Sequence, residues 1–103
     1  MNGIYCFVNV RTGVTFVHGA TNLDLTYLDK QYRLLTNNKH FNYQLQAAFN
    51  CCKEAWSHVI LETFNNDNIN QYEAKWMKRF MRHGRLINTT TINGAMVAAQ
   101  VEV

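Results

Sequence analysis

The chain contains no proline and only five glycines in 103 residues. No stretch therefore reads as a flexible or proline-stiffened linker. No internal repeat and no low-complexity segment is visible. Long apolar runs are also missing, and the longest fall far short of the ~20 residues that span a bilayer. The N-terminus lacks the basic-then-apolar order of a signal peptide. The expectation is one intracellular, cytoplasmic domain over residues 1–103, not secreted and with no membrane partner. Cysteine is scarce too. Cys6, Cys51 and Cys52 are an odd set with two neighbours and no Cys-x-x-Cys, which argues against a disulfide framework. His18, His40, His58 and His83 show no metal-ligand spacing, which argues against a structural zinc.

What is present is apolar and aromatic. Hydrophobic residues make up 48% of the chain, enough to bury a core. The net charge of +3 decides little, but its distribution says more. Lys75, Lys78, Arg79, Arg82 and Arg85 fall within eleven positions and supply five of the ten basic residues. Basic residues near a helix C-terminus offset the macrodipole. The same stripe is suited to a phosphate backbone, and Lys75, Lys78, Arg79 and Arg82 are candidate nucleic-acid contacts.

Hydrophobic periodicity organises the rest. "IYCFVNV" at 4–10 reads as a strand, "RTG" as a turn and "VTFVH" at 14–18 as the return strand. In "TNLDLTYLDKQYRLLT", Thr21 or Asn22 can cap a helix, with Asp24 in its first turn. "YQLQAAFNCCKEA" reads as a second helix with Leu45, Ala48, Phe49 and Cys52 on one stripe. "WSHVILETF" reads as a central strand, since "VIL" is a continuous apolar run. "INQYEAKWMKRFMRH" reads as a third helix with Ile69, Tyr72, Trp76 and Phe80 on its inner face, stopped by Gly84. The tail is β-rich, and Asn93-Gly94 is a hairpin signal. The order β-β-α-α-β-α-β predicts a small α+β domain, a mainly antiparallel sheet flanked by helices.

Several motifs stand in order along this frame. They are "GIY" at 3–5, "FVHGATNL" at 16–23, "LLTNNKHFNYQLQAAFN" at 34–50, "VILETF" at 59–64, Glu73-x-x-Trp76 and Asn88. Together they resemble the GIY-YIG endonuclease family over residues 3–88, with 89–103 as a β-rich extension. The resemblance implies a small antiparallel sheet flanked by helices and a site that cleaves phosphodiesters. It implies that Tyr5 helps activate water, that Glu73 holds a divalent ion (Mg²⁺ or Mn²⁺), and that Asn88 supports the site. His40 matches a histidine of some members. A hard cation takes oxygen ligands and offsets phosphoryl charge.

The pattern is broken in two places. The second tyrosine falls on Phe16 or Val17, depending on the direction of counting, as if the strand held an extra residue in a bulge. The helix arginine falls on Tyr27. Loss of one such electrostatic contact costs about 2.7–4 kcal/mol of barrier. Lys30 or Arg33 is the candidate replacement cation, and His18 the candidate alternative base. The resulting expectation is a nuclease-fold domain that acts on or binds nucleic acid, DNA foremost, with catalysis weakened or absent. The alternative is a non-catalytic module for an anionic nucleotide-like ligand or a protein partner, including a second copy paired through the β-rich tail.

Overall fold

A computed structural model describes residues 1–92 and 95–98, with 89–92 and 95–98 described as backbone. Strand β1 (Asn2–Asn9) turns back into β2 (Thr15–Ala20). Helices α1 (Leu25–Thr36) and α2 (Tyr43–Cys51) follow, then a short 3₁₀ turn over Lys53–Ala55. Strand β3 (Trp56–Phe64) leads to α3 (Ile69–Arg82). Strands β4 (Thr89–Ile92) and β5 (Ala95–Ala98) pair antiparallel as a separate ribbon. The Asn93-Gly94 signal between them lies outside the described residues. The α+β reading and its element order hold through α3.

The main sheet is antiparallel with the order β2-β1-β3. Strand β1, not β3, is therefore central. The "VIL" run belongs to an edge strand, and Val59 is 47% exposed. Along β1 and β2, Tyr5, Phe7 and Phe16 face a core built with Leu28 and Leu35 of α1 and Leu45 and Phe49 of α2. Ile4, Cys6 and Val17 face the other way, onto Ile69 and Met77 of α3. Alternation along the strands thus feeds two cores, one on each side of the sheet.

Local chemistry explains the element ends. Asp24 is the N-cap of α1 and accepts from Tyr27 N at 2.8 Å. Neither Thr21 nor Asn22 caps this helix. Asn22 instead takes a left-handed φ of 51° just before it. Gly84 ends α3 with φ 67°, as expected of a residue beyond a helix C-cap. The buried stripe of α3 is Ile69, Glu73 and Met77, and Tyr72, Trp76 and Phe80 flank it half-buried. A glutamate therefore stands in the middle of the inner face.

The bulge also lies elsewhere than in β2. Pairing of β1 with β2 is continuous from Gly3↔Ala20 to Val8↔Thr15. The irregularity is between β1 and β3, where Ile4 pairs Glu62 and Tyr5 pairs Ile60, leaving Leu61 extra. Gly13 adopts φ 78° in the turn between β1 and β2.

Candidate functional site

Tyr5 pairs directly with His18 across β1 and β2. Its hydroxyl lies 3.1 Å from His18 Nδ1. The Tyr5 ring meets Phe7, His18 and Tyr27 edge-on, with Tyr27 5.5 Å away between centroids. Tyr5 is fully buried, whereas Tyr27 is half-buried. Burial drives the Tyr5 phenol well above its ordinary range. The neighbouring Tyr27 hydroxyl and the negative charge of Glu73 push the same way. Burial, assisted by His40, lowers His18 to about 4, so its imidazole is neutral at pH 7.

His40 joins this cluster from the loop between α1 and α2. Asn42 N–H donates to His40 Nδ1 at 3.0 Å, and His40 N–H donates to Gln46 Oε1 at 2.9 Å. Gln46 also donates to Leu35 O and to Asn50 Oδ1. One buried amide thus ties the loop to both helices. Burial lowers His40 to about 4 as well, against the Asn42 bond. Phe41 lies over both imidazoles, 5.3 Å from His18 and 4.3 Å from His40 between centroids.

Glu73 and Asn88 act at a different place, the outer edge of β2. Gly19 N–H donates to Glu73 Oε2 at 2.7 Å. Asn88 Nδ2 donates to Val17 O at 2.9 Å, and Val17 N–H donates to Asn88 Oδ1 at 3.4 Å. Further along, Thr15 N–H donates to Arg85 O and Ile87 N–H to Thr15 O. The side chains of Glu73 and Asn88 therefore continue, residue by residue, the pairing that the backbone of 85–87 begins. A Cβ on Gly19 would come 2.4 Å from Ile69 Cγ2 and 3.4 Å from Glu73 Oε2, so this close approach requires glycine.

Glu73 is the carboxylate that would hold the implied divalent ion. Mg²⁺ and Mn²⁺ demand a shell of oxygens, commonly one or two carboxylates plus several waters. Glu73 has no exposed surface, and one of its oxygens already accepts the Gly19 N–H. Among the described residues, no three His, Cys, Asp or Glu side chains gather as a metal-holding group.

The cations are separated from Tyr5. Residues of an α-helix advance by about 100° each. Lys30 and Arg33 consequently fall on the side of α1 away from buried Leu28, Gln31 and Leu35, and both are exposed. On α3, Lys75 bonds Glu62, which also accepts from Trp76 Nε1 at 2.9 Å. Arg79 lies over the Trp76 ring at 4.7 Å, and Lys75 over Tyr72 at 5.1 Å. Lys78 and Arg82 are exposed on the same helix. Arg85 is withdrawn from this stripe because it donates to Thr12 O at the β1–β2 turn.

Tyr5, His18 and His40 thus come together on the α1/α2 side, and Glu73 and Asn88 on the α3 side. Lys30, Arg33 and the α3 cations lie outside both groups. Sequence reasoning missed Gln46, which had a signal, a lone amide beside the apolar stripe of α2.

The helix-flanked antiparallel sheet is a GIY-YIG-like fold. It is similar to the solved catalytic domain of the homing endonuclease I-TevI, with TM-score 0.75 and 22% identity, covering 88% of this chain and 100% of that one. A mutant of the catalytic domain of intron endonuclease I-TevI gives TM-score 0.69 and 23% identity, covering 84% of this chain and 91% of that one. No family model matches the chain, and no curated protein matches it. At these identities the likeness is one of fold.

Proposed function

We propose that the chain is a nuclease-fold domain that engages nucleic acid, DNA foremost, with phosphodiester cleavage weakened or lost. The likeness of fold supports the nucleic-acid part. A single observation carries the loss of cleavage: the ring packed on Tyr5 at the helix-arginine position is Tyr27. Among the described residues, the rings packed on Tyr5 and His18 are Phe7, Phe16, Tyr27 and Phe41. A phosphoryl group gathers negative charge in its transition state, and preorganised cations supply much of the stabilisation. This cluster offers two neutral imidazoles and a phenol that burial holds protonated.

Binding falls to the basic side of α3. Lys78 and Arg82 are its exposed cations, and Lys75 and Arg79 are held against aromatic rings. Among the described residues no helix is long and apolar enough to cross a membrane. The test is incubation of purified protein with plasmid and single-stranded DNA, with Mg²⁺ or Mn²⁺, beside Tyr5→Phe and Glu73→Ala. Binding without cleavage is the expected result. Cleavage by the wild type that Tyr5→Phe abolishes would establish an active nuclease instead.

A further inference from the structure

Two buried imidazole nitrogens, Nε2 of His18 and Nε2 of His40, have no hydrogen-bond partner among the described residues. The two residues are 5% and 8% exposed. Buried polar atoms are nearly always paired, so an orphan calls for an absent partner. The tautomer of His40 follows from its neighbour. Asn42 N–H donates to Nδ1, so the single proton of the neutral ring sits on Nε2. That atom is a donor and not a metal ligand. The Tyr5 hydroxyl and His18 Nδ1 are hydrogen-bonded at 3.1 Å, and the His18 tautomer sets whether its free Nε2 donates or accepts. The two rings share their packing. Phe16 lies 6.0 Å from each, and Phe41 covers both from the outside. Phe41 is nonetheless 53% exposed and sits on the loop between α1 and α2.

We propose that this histidine pair, once Phe41 moves aside, receives one unstacked nucleobase of a single strand. Phe41 swings away from the imidazoles and the base takes its seat. An acceptor on the base edge receives from Nε2–H of His40, a neighbouring edge group pairs with Nε2 of His18, and the Phe41 ring stacks on the outer face of the base. Aromatic side chains stack on any base, and edge hydrogen bonds orient it. A phosphate is the poorer occupant, because the surrounding rings are aromatic and neutral. A base pair inside a duplex keeps its faces stacked and cannot enter. The inference rests on the nucleic-acid reading above and names where and in what form the nucleic acid is held.

Fluorescence anisotropy tests it with a short labelled oligothymidine, the same strand carrying only abasic sites, and a duplex of equal length. Nitrogen-15 spectra of the imidazoles are recorded alongside. Oligothymidine is expected to bind more tightly than either other probe and to shift the Nε2 signals of His18 and His40. Phe41→Ala, an exposed change, should weaken that binding by about tenfold, and Phe41→Trp should restore it. Base binding by the histidine pair is overturned if the abasic strand or the duplex binds equally well or better. It is likewise overturned if Phe41→Ala changes nothing or the imidazole signals stay fixed. In those cases, weaker binding by Lys78→Ala/Arg82→Ala leaves the nucleic-acid reading standing. No binding of any probe by folded wild type overturns both.

Discussion

The Tyr5 hydroxyl and His18 Nδ1 lie 3.1 Å apart at directly paired positions of adjacent strands. The pair keeps a phenol and an imidazole in one apolar layer, each meeting the other's polar atom. Neither has surface to spare, and both are held in their neutral forms by burial. A group arranged in this way is stable at pH 7 and sensitive to acid.

Stability should therefore depend on pH. His18 and His40 are both lowered from 6.5 to about 4 in the fold. The unfolded chain takes up these protons first, so stability is full above about pH 6.5 and is lost as pH falls toward 4. The loss amounts to up to about 3 kcal/mol per imidazole. Urea denaturation across this window should show the fall, and His18→Gln should flatten part of it. A midpoint that does not move between pH 7 and 4.5 would contradict the burial of both rings.

Glu73 is expected to be structural at the edge of β2, with the amide isostere tolerated. Glu73→Gln keeps an acceptor for Gly19 N–H. Glu73→Ala leaves that buried donor unpaired at about 1–3 kcal/mol, with a cavity cost added. Thermal melts of the two variants should separate clearly, with Glu73→Gln close to wild type.

Gly19→Ala should destabilise the domain by about 1–3 kcal/mol. The added methyl would meet Ile69 Cγ2 at 2.4 Å and Ile4 Cδ1 at 3.2 Å, both inside the α3 core. Ile69→Ala removes the Cγ2 methyl, so the double variant should lose less than the sum of the two single losses. Melting temperatures of the single and double variants give the comparison.

Salt dependence should divide the basic stripe. Lys78→Ala and Arg82→Ala each remove an exposed cation, and each should lower the slope of log K against log salt by about 0.7 on single strands. Lys75 is already paired with Glu62 and lies over Tyr72. Its removal should change the slope less. Binding isotherms at several salt concentrations measure all three.

Much of this was legible in the chain because strand alternation, helical spacing and Gly84 point to the same elements. The misses have physical causes. A short run such as "VIL" looks alike in a central and an edge strand, since periodicity reports faces and not neighbours. Glu73 stands at i+4 from Ile69 and i−4 from Met77, but its charge disguised it as a flank residue. The Tyr5–His18 pairing depends on how many residues the turn after Asn9 absorbs, and one residue more exchanges Phe16 and His18 for Val17.

The closed edge of β2 also bears on self-association. Thr15, Val17 and Gly19 present their outward groups to Arg85, Ile87, Asn88 and Glu73. A strand from another molecule finds no free ladder there. The sheet can be extended on only one side, beyond β3, where Leu61 breaks the regular spacing. The three-stranded sheet is thereby closed to strand addition along β2 and irregular along β3.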